Sequence, residues 1–570
     1  MKYLYFCVIV LFLTLIATQA DKKFVLDEID FPVVSLETSK TGIPVYYRGE
    51  DAPRHIGIYH PTLYINSLAF FIKIFGYKEV TVRIFGALCV LLSVILVNLI
   101  YRRINANKNN NSSIFIIIFV ALFLLHPYVL ANATVPDIDT TILPVTLLLF
   151  LYSTLVYFYG KDKCSCEWSW SNTYLVKGIF VVGMIFGLNL WAKLTTPMIL
   201  PFLFFVILIL NQYHVKSSFL VTALVSSIGT FIFLISYWFY CLLLDLPYQY
   251  TFQFLAQSFA KGTVGDSNRI LNMITNLGYG LDLVTWITYP IVFLFFISIA
   301  FLFFKKEKSS LEERMVLLIG IFGLATTLFY TALIAPFGGF FKYPFAVFTW
   351  IIFPIAYLSA RIFQYIWSRQ FLLPGLLLIG IISWGENIIF SDMIFRTHKH
   401  QSGIILLIII VAGLIIGFYF GKNIPKKKST QIFFIVTVLI AIGWSLGISR
   451  AQSVTAYPTK YYYGQEGLDQ TVMYLKGHVV KDEVIWSMKD IGYYVNNRYI
   501  ENYGYFFSAS GEEQLQSLFD EKEVRYYVVT TGIGEDRVDA YPKIKLILDS
   551  RADVVEKFGN FIIYKSKNSL

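Results

Sequence analysis

The sequence predicts a polytopic α-helical membrane protein with a small soluble domain at its C-terminal end, and three observations predict it. Of 570 residues, 56% are hydrophobic and 15% charged, with a mean hydropathy of +0.61, more apolar sequence than a soluble core uses. The apolar residues gather in continuous runs of roughly 18–20 residues, the length a helix needs to cross a hydrocarbon core. After about residue 450 the composition turns sharply polar. A transmembrane β-barrel is excluded, because its strands alternate between lipid and lumen over about ten residues and these runs do not alternate.

Taken in order, about thirteen spans are expected, at residues 3–20, 80–101, 113–131, 138–159, 174–191, 195–212, 219–244, 283–304, 315–335, 343–367, 371–390, 403–420 and 431–448. The formal charge of +10 is explained by topology rather than by a nucleic-acid partner. Arg102, Arg103 and Lys108, then Lys161 and Lys163, then Lys305, Lys306 and Lys308, then Lys422 with Lys426, Lys427 and Lys428 fall on one side when spans alternate, and that side is assigned to the cytoplasm. The N-terminus is then cytoplasmic and the tail extracytoplasmic, as in a multi-pass protein of a plasma or inner membrane. The first run ends in Thr18-Gln19-Ala20, which allows signal-peptide cleavage, but its length and the odd span count favour a retained helix.

Two domains follow. Residues 1–449 form the membrane domain, with a first extracytoplasmic loop at 21–79, and residues 450–570 form a soluble α/β domain. In the loop, Tyr64, Leu68, Phe71, Ile72 and Phe75 stand at helical spacing, which predicts a helix along the membrane surface over 56–75. In the tail, apolar runs at 484–486, 525–530, 544–548 and 561–564 predict strands, with helical patterns around Leu468, Val472 and Leu475 and around Leu515, Leu518 and Phe519. Cys7, Cys89 and Cys241 lie in apolar runs and Cys164 and Cys166 share a loop. No disulfide framework is implied, and a lone C-x-C falls short of the four ligands of a structural zinc site.

Polar residues converge on the extracytoplasmic side. Asp27 and Glu28 follow the first span, His60 and Tyr64 belong to the surface helix, and Arg83 opens the second span. Asp137 and Asp139 occupy the turn before the fourth span, Lys193 lies between spans five and six, Arg269 follows span seven, and Lys342 with Tyr343 precedes span ten. Carboxylates near a bilayer are costly unless solvated, paired or used. Such a set offers carboxylates to take a proton and cations to hold an anionic phosphate. For Asp137 and Asp139 the competing reading is a helix N-cap. For the lysines it is interfacial snorkelling, for Arg83 an ion pair with an acidic residue of the first loop, and for His60 a hydrogen-bonded structural role. Asn132-Ala133-Thr134 is an N-glycosylation acceptor pattern, relevant only where the host glycosylates.

The order Asp27-Glu28, then His60-Pro61-Thr62-Leu63-Tyr64, then Arg83 resembles the amino-terminal region of GT-C superfamily glycosyltransferases, the protein O-mannosyltransferase and aminoarabinose transferase group. Thr62 stands where that family has a second proline. Val135-Pro136-Asp137-Ile138-Asp139, the run from Gly187 to Lys193, and Phe341-Lys342-Tyr343-Pro344 are similar to later motifs of the family. The resemblance implies transfer of a hexosyl or pentosyl group from a polyprenyl-phosphate-linked donor to an extracytoplasmic lipid, glycan or protein acceptor. It implies a single inverting displacement with Asp27 as base, Glu28 orienting Asp27 or binding acceptor, and the remaining residues binding substrate. No cofactor is required by this chemistry, although clustered carboxylates can bind a divalent metal. The alternative is a polytopic transporter or lipid flippase, which many spans also suit. Such folds place polar residues and broken helices at mid-membrane, whereas here the charges gather on one face.

Overall fold

The structure, a computed structural model, describes residues 2–20, 24, 27–46, 55–56, 60–105, 112–160, 173–261, 287–305, 309–334, 342–366, 375, 377–383, 399–423, 428–455, 466–480, 483–495, 499–502, 505–506, 510–521, 524–531 and 538–567. The chain divides into two compact units. One comprises Met1–Ala20, Ile58–Ser67 and Val80–Ala451, and the other Asp21–Gly57, Leu68–Glu79 and Gln452–Leu570. Most of the first loop is therefore grouped with the C-terminal region rather than with the membrane helices.

The first unit is helical. In chain order the helices outside the C-terminal region are α1 (Lys2–Ala17), α2 (Asp27–Thr41), α3 (Leu63–Phe75), α4 (Glu79–Ile104), α5 (Ser112–Leu124), α6 (Pro127–Thr134), α7 (Ile142–Phe158), α8 (Thr173–Ala192), α9 (Leu200–Leu210), α10 (Val215–Leu243), α11 (Gln249–Lys261), α12 (Tyr289–Phe304), α13 (Leu311–Ile334), α14 (Phe348–Ile366), α15 (Lys399–Asn423) and α16 (Lys428–Thr455). Among the described residues, six helices are long and apolar enough to cross a membrane, seven if the bent pair α5 and α6 counts as one span. Five further expected spans coincide with shorter apolar helices, and the span expected at 371–390 falls largely outside the described residues. The chain is an integral multi-pass membrane protein. Its core layers pair α8 with α10 and α7, α12 with α15, and α13 and α5 with α14.

The span expected at 113–131 is not one straight helix. It bends by 67° between α5 and α6. Pro127 lacks an N–H, and its ring disfavours helical geometry at His126. His126 instead takes an extended conformation and caps α6, its Nδ1 accepting the Tyr128 N–H at 3.1 Å. Every residue of α6 is buried, so the break lies inside protein, where irregular backbone is tolerated. Asn132 of the acceptor pattern is fully buried and donates to the Tyr128 carbonyl at 2.8 Å. That pattern is inaccessible to a glycan.

In the second unit, α2 packs beside a short antiparallel pair, β1 (Val45–Tyr46) and β2 (His55–Ile56). The C-terminal region contributes α17 (Leu468–His478), β3 (Val484–Ser487), α18 (Lys489–Val495), β4 (Tyr499–Glu501), α19 (Gly511–Glu521), β5 (Val524–Thr530), α20 (Pro542–Arg551), β6 (Ala552–Phe558) and β7 (Phe561–Ser566). The five strands make one sheet in the order β4-β3-β5-β7-β6, with β3 parallel to both neighbours and the other pairs antiparallel. Successive side chains face opposite ways. Trp486 and Tyr527 therefore join one apolar layer with Leu515 and Phe519, and Ile485 and Tyr526 join the other with Leu475 and Ile491. The strand expected at 544–548 is instead the middle of α20, whose Ile544 and Leu548 are its buried residues. Their i, i+4 spacing fits one helical face.

Candidate active site

The site is built at the ends of helices within the first unit. α4 starts it. Gly86 lies so close to α6 that a β-carbon there would sit 2.3 Å from the Ala133 carbonyl oxygen, so only glycine allows this approach. One turn earlier, buried Arg83 donates through Nη1 to the Thr134 carbonyl. This contact fixes where α6 ends and the turn at 135–141 begins.

That turn is tied by its own side chains. Asp137 Oδ1 accepts the Asp139 N–H at 2.9 Å, Thr140 Oγ1 donates to the Val135 carbonyl at 2.7 Å, and Thr141 Oγ1 donates to the Asp137 carbonyl at 2.5 Å. The N-cap of α7 is Thr141, so the capping role considered for the two aspartates does not hold. They are spent on lysines. Lys193 Nζ donates to both carboxylate oxygens of Asp139 at 2.7 Å each, and Lys342 Nζ donates to Asp137 Oδ2 at 2.6 Å.

The run ending at Lys193 explains the placement of that cation. Asn189 Nδ2 donates to the Thr146 carbonyl of α7 at 3.0 Å, and Trp191 Nε1 donates to Ser236 Oγ of α10 at 2.8 Å. α8 is thus fixed against both neighbours just before it stops, and the Lys193 N–H closes the last turn on the Asn189 carbonyl at 3.0 Å. Its ammonium lies 4.5 Å from the Tyr343 ring centre and 5.8 Å from that of Tyr330. These two rings stack at 5.7 Å and 12°, a cation–π face for a buried ammonium. Lys342 lies 5.7 Å from the same Tyr343 ring.

The two pairs differ in access. Lys193 and Asp139 are 4% and 3% exposed, whereas Lys342 is 15% exposed. Burial drives the Asp139 carboxyl up, and despite Lys193 the neighbouring charge of Asp137 helps keep it at about 6. Burial also acts on Asp137, but the charge and hydrogen bond of Lys342 outweigh it and hold that carboxyl below its ordinary value. Lys193 loses from burial and gains more from Asp139 and the two tyrosine rings, so it stays charged. His60 completes the set. Burial and then the charge of Lys193 hold its imidazole down at about 3 against the pull of Asp137, so it is neutral at physiological pH. Its ring meets Phe254 edge-on at 5.8 Å.

The structure thus gathers His60, Asp137, Asp139, Lys193, Lys342 and Tyr343. Arg83 supports the turn from behind, and Tyr64 is fully buried with its ring 6.1 Å from that of Phe85. Asp27 and Glu28 stand in the first turn of α2, but their side chains lie outside the described residues, as does all of Arg269. Tyr330 was not anticipated. It is one of 39 tyrosines and sits within an apolar run, where nothing local sets it apart. Among the described residues, no group of three or more His, Cys, Asp or Glu side chains is arranged to hold a metal ion.

A helical membrane domain followed by an α/β domain is a fold that the chain shares with solved structures. Over 99% of its length the chain is similar to ArnT, the aminoarabinose transferase, from Cupriavidus metallidurans in the apo state, at 14% identity, a TM-score of 0.60 and 97% coverage of that chain. The structure of that protein bound to undecaprenyl phosphate gives 13% identity, a TM-score of 0.56 and the same coverage. The archaeal oligosaccharyltransferase AglB from Archaeoglobus fulgidus gives 11% identity and a TM-score of 0.46, with 74% of its chain covered. No protein-family model and no curated protein matches the sequence. At such identities the likeness establishes the fold, and the chemistry has to be argued from the site.

Proposed function

We propose that the chain is a glycosyltransferase that moves a sugar from a polyprenyl-phosphate-linked donor to an acceptor outside the cytoplasmic leaflet. The observation that carries this reading is the pair of Lys–Asp contacts at one end of the helices, in a fold shared with a protein whose structure holds undecaprenyl phosphate. In this orientation the N-terminus is cytoplasmic and the α/β domain extracytoplasmic.

Phosphate on a sugar is already a good leaving group, so the reaction needs a base for the attacking hydroxyl and a cation for the departing phosphate. The acceptor oxygen bonds to the anomeric carbon, the bond from that carbon to the phosphate oxygen breaks, and the hydroxyl proton passes to Asp27. The product is inverted. Lys342 is the cation that meets the phosphate, because it is the more exposed of the two lysines and Asp137 can share it. Lys193 acts from the buried side, holding Asp139 and the face of Tyr343. Neutral His60 offers a hydrogen bond rather than a charge. Arg269 and Glu28 keep the binding roles that the resemblance implies. No step invokes a metal.

The test is transfer of labelled sugar from synthetic polyprenyl-phosphate donors by the purified protein, with Asp27→Asn beside the wild type. Loss of a general base lowers such rates by about 10²–10⁴-fold. Full turnover by the Asn variant would remove Asp27 from the base role. Absence of transfer from every donor would overturn the reading as a whole.

A further inference from the structure

Three contacts within the second unit converge on one short helix, α18. Lys489 Nζ donates to both carboxylate oxygens of Asp30 at 3.1 Å. The N–H of Phe24, a fully buried residue, donates to the Tyr494 hydroxyl. The Tyr493 hydroxyl is hydrogen-bonded to that of Tyr77, in the turn after α3. Two of these anchor points, Phe24 and Asp30, stand on either side of Asp27 and Glu28 in the sequence. Asp30 lies three residues after Asp27 on α2, the spacing of one helical turn.

α18 is itself firmly seated. A β-carbon on Gly492 would fall 2.2 Å from the Tyr499 ring of β4, so the helix lies flush on the sheet edge. Ile491 and Val495 enter the apolar layer with Leu475 and Val528. Lys489 is only 10% exposed at its side chain, which separates it from a solvated lysine on a helix surface.

We infer that α18 is a positioning element for the acidic pair: Lys489, with Tyr494, holds both ends of the segment that carries Asp27 and Glu28. This gives the C-terminal domain a role in the reaction without any contact with substrate. A base must be held in its reactive geometry, and an extra ångström of freedom can cost about 10²-fold in rate. The inference rests on the base role proposed for Asp27, but the holding contact can be measured without any turnover.

The experiment uses the full-length protein in detergent or nanodiscs, with Lys489→Ala, Lys489→Arg, Tyr494→Phe and the exchanged pair Asp30→Lys with Lys489→Asp. Amide hydrogen exchange of peptides covering 27–41 reads the holding contact. The values of kcat and of KM for the polyprenyl-phosphate sugar read its consequence. Lys489→Ala is expected to speed exchange in α2 by roughly tenfold, as local opening becomes easier. It is expected to lower kcat by about tenfold with KM changed less than about twofold. Lys489→Arg keeps both readouts near wild type, Tyr494→Phe moves them in the same direction by less, and the exchanged pair recovers part of the loss.

Unchanged exchange in α2 for Lys489→Ala would overturn the inference, and so would faster exchange at an unchanged kcat. If exchange speeds equally through the strands of the sheet, the Ala variant has loosened the whole domain, and Tyr494→Phe, which removes one hydroxyl, decides by the same criteria. If the wild type transfers no sugar from any donor, the glycosyltransferase reading fails, and the exchange measurement still decides whether α18 holds the segment.

Discussion

Two charged clusters lie buried in the same membrane unit, at opposite ends of α7, and they are built differently. At the end of α7 near Phe158, Arg103 donates to the carbonyls of Leu155 and Tyr159 at 3.0 Å, and Glu312 acts electrostatically on Tyr159 there. Beside them, Glu313, 2% exposed, accepts from Lys305 at 3.1 Å and from Arg361. Its Oε2 also accepts the Ser310 N–H at 3.0 Å, while its own N–H donates to Ser310 Oγ at 3.2 Å. Ser310 and Glu313 thus form a capping box at the start of α13, to which Lys305 and Arg361 are joined from the ends of α12 and α14. The cluster at the other end takes Asp137, Asp139, Lys193 and Lys342 from distant parts of the chain, sets two tyrosine rings against the ammonium groups, and leaves one lysine partly exposed. α7 has 17 residues, so the clusters stand about 25 Å apart along it, close to the thickness of a hydrocarbon core. One cluster joins the ends of helices that follow one another in the chain, and the other joins distant parts of it. Access does not separate them, since Lys305 and Arg361 are 19% and 25% exposed against 15% for Lys342.

Substitutions break this contrast most directly at Lys342. Lys342→Ala is expected to lower sugar transfer by about 10²–10³-fold, the usual loss when one charge-stabilising donor is removed, and also to lower Tm, because Asp137 is left buried without its cation. A rate within about twofold of wild type would leave this end no different from the other. Glu313→Gln is expected to lower stability and spare transfer. Weakening a buried charge network costs about 3 kcal/mol, seen as a lowered Tm, while turnover per folded molecule stays at the wild-type level. A parallel loss of turnover would show that this cluster also shapes the site.

The smallest effect is in pH dependence. Asp139 takes up a proton at about 6, and a neutral carboxyl no longer holds Lys193 by charge, so transfer should decline below pH 6, by up to about tenfold per unit. Stability carries the opposite sign. The folded value lies above the ordinary 3.8, so the contribution of this group to folding is fully present below about 3.8 and fades as pH rises through about 6. Asp139→Asn should flatten that slope in thermal unfolding measured from pH 4 to 8. A rate that stayed level down to pH 4.5 would take the ionisation of Asp139 out of the reaction.

How far the sequence could be read depended on the range of the interaction. The apolar runs were legible because the length of a spanning helix is imposed by the bilayer on each segment alone. The charged candidates were legible by residue type and order, as polar residues next to apolar runs. Their pairing was not. Lys342 and Asp137 are 205 positions apart, and nothing near either residue names its partner. The bend at His126 was signalled by Pro127, but the apolar run around it reads as continuous. In the tail, the run at 544–548 is short enough to suit a strand or a helix, and packing chose the helix.

The largest correction concerns the first loop, expected as part of the membrane domain and grouped instead, for the most part, with the C-terminal region. Its ties to α18 join residues 24 and 30 to 494 and 489. Separations of that size leave no trace in local composition.

By itself, then, the sequence determined a multi-pass helical membrane protein with a polar tail and a set of candidate charges beside its apolar runs. Hydrophobic length and the distribution of basic loops act residue by residue along the chain. Only the tertiary structure decided which carboxylate answers which lysine, that Tyr330 and Tyr343 stack beside Lys193, and that α18 anchors the segment of Asp27. Each of these rests on side chains meeting across helices or strands, where buried charge is tolerated only with a partner at hydrogen-bonding distance.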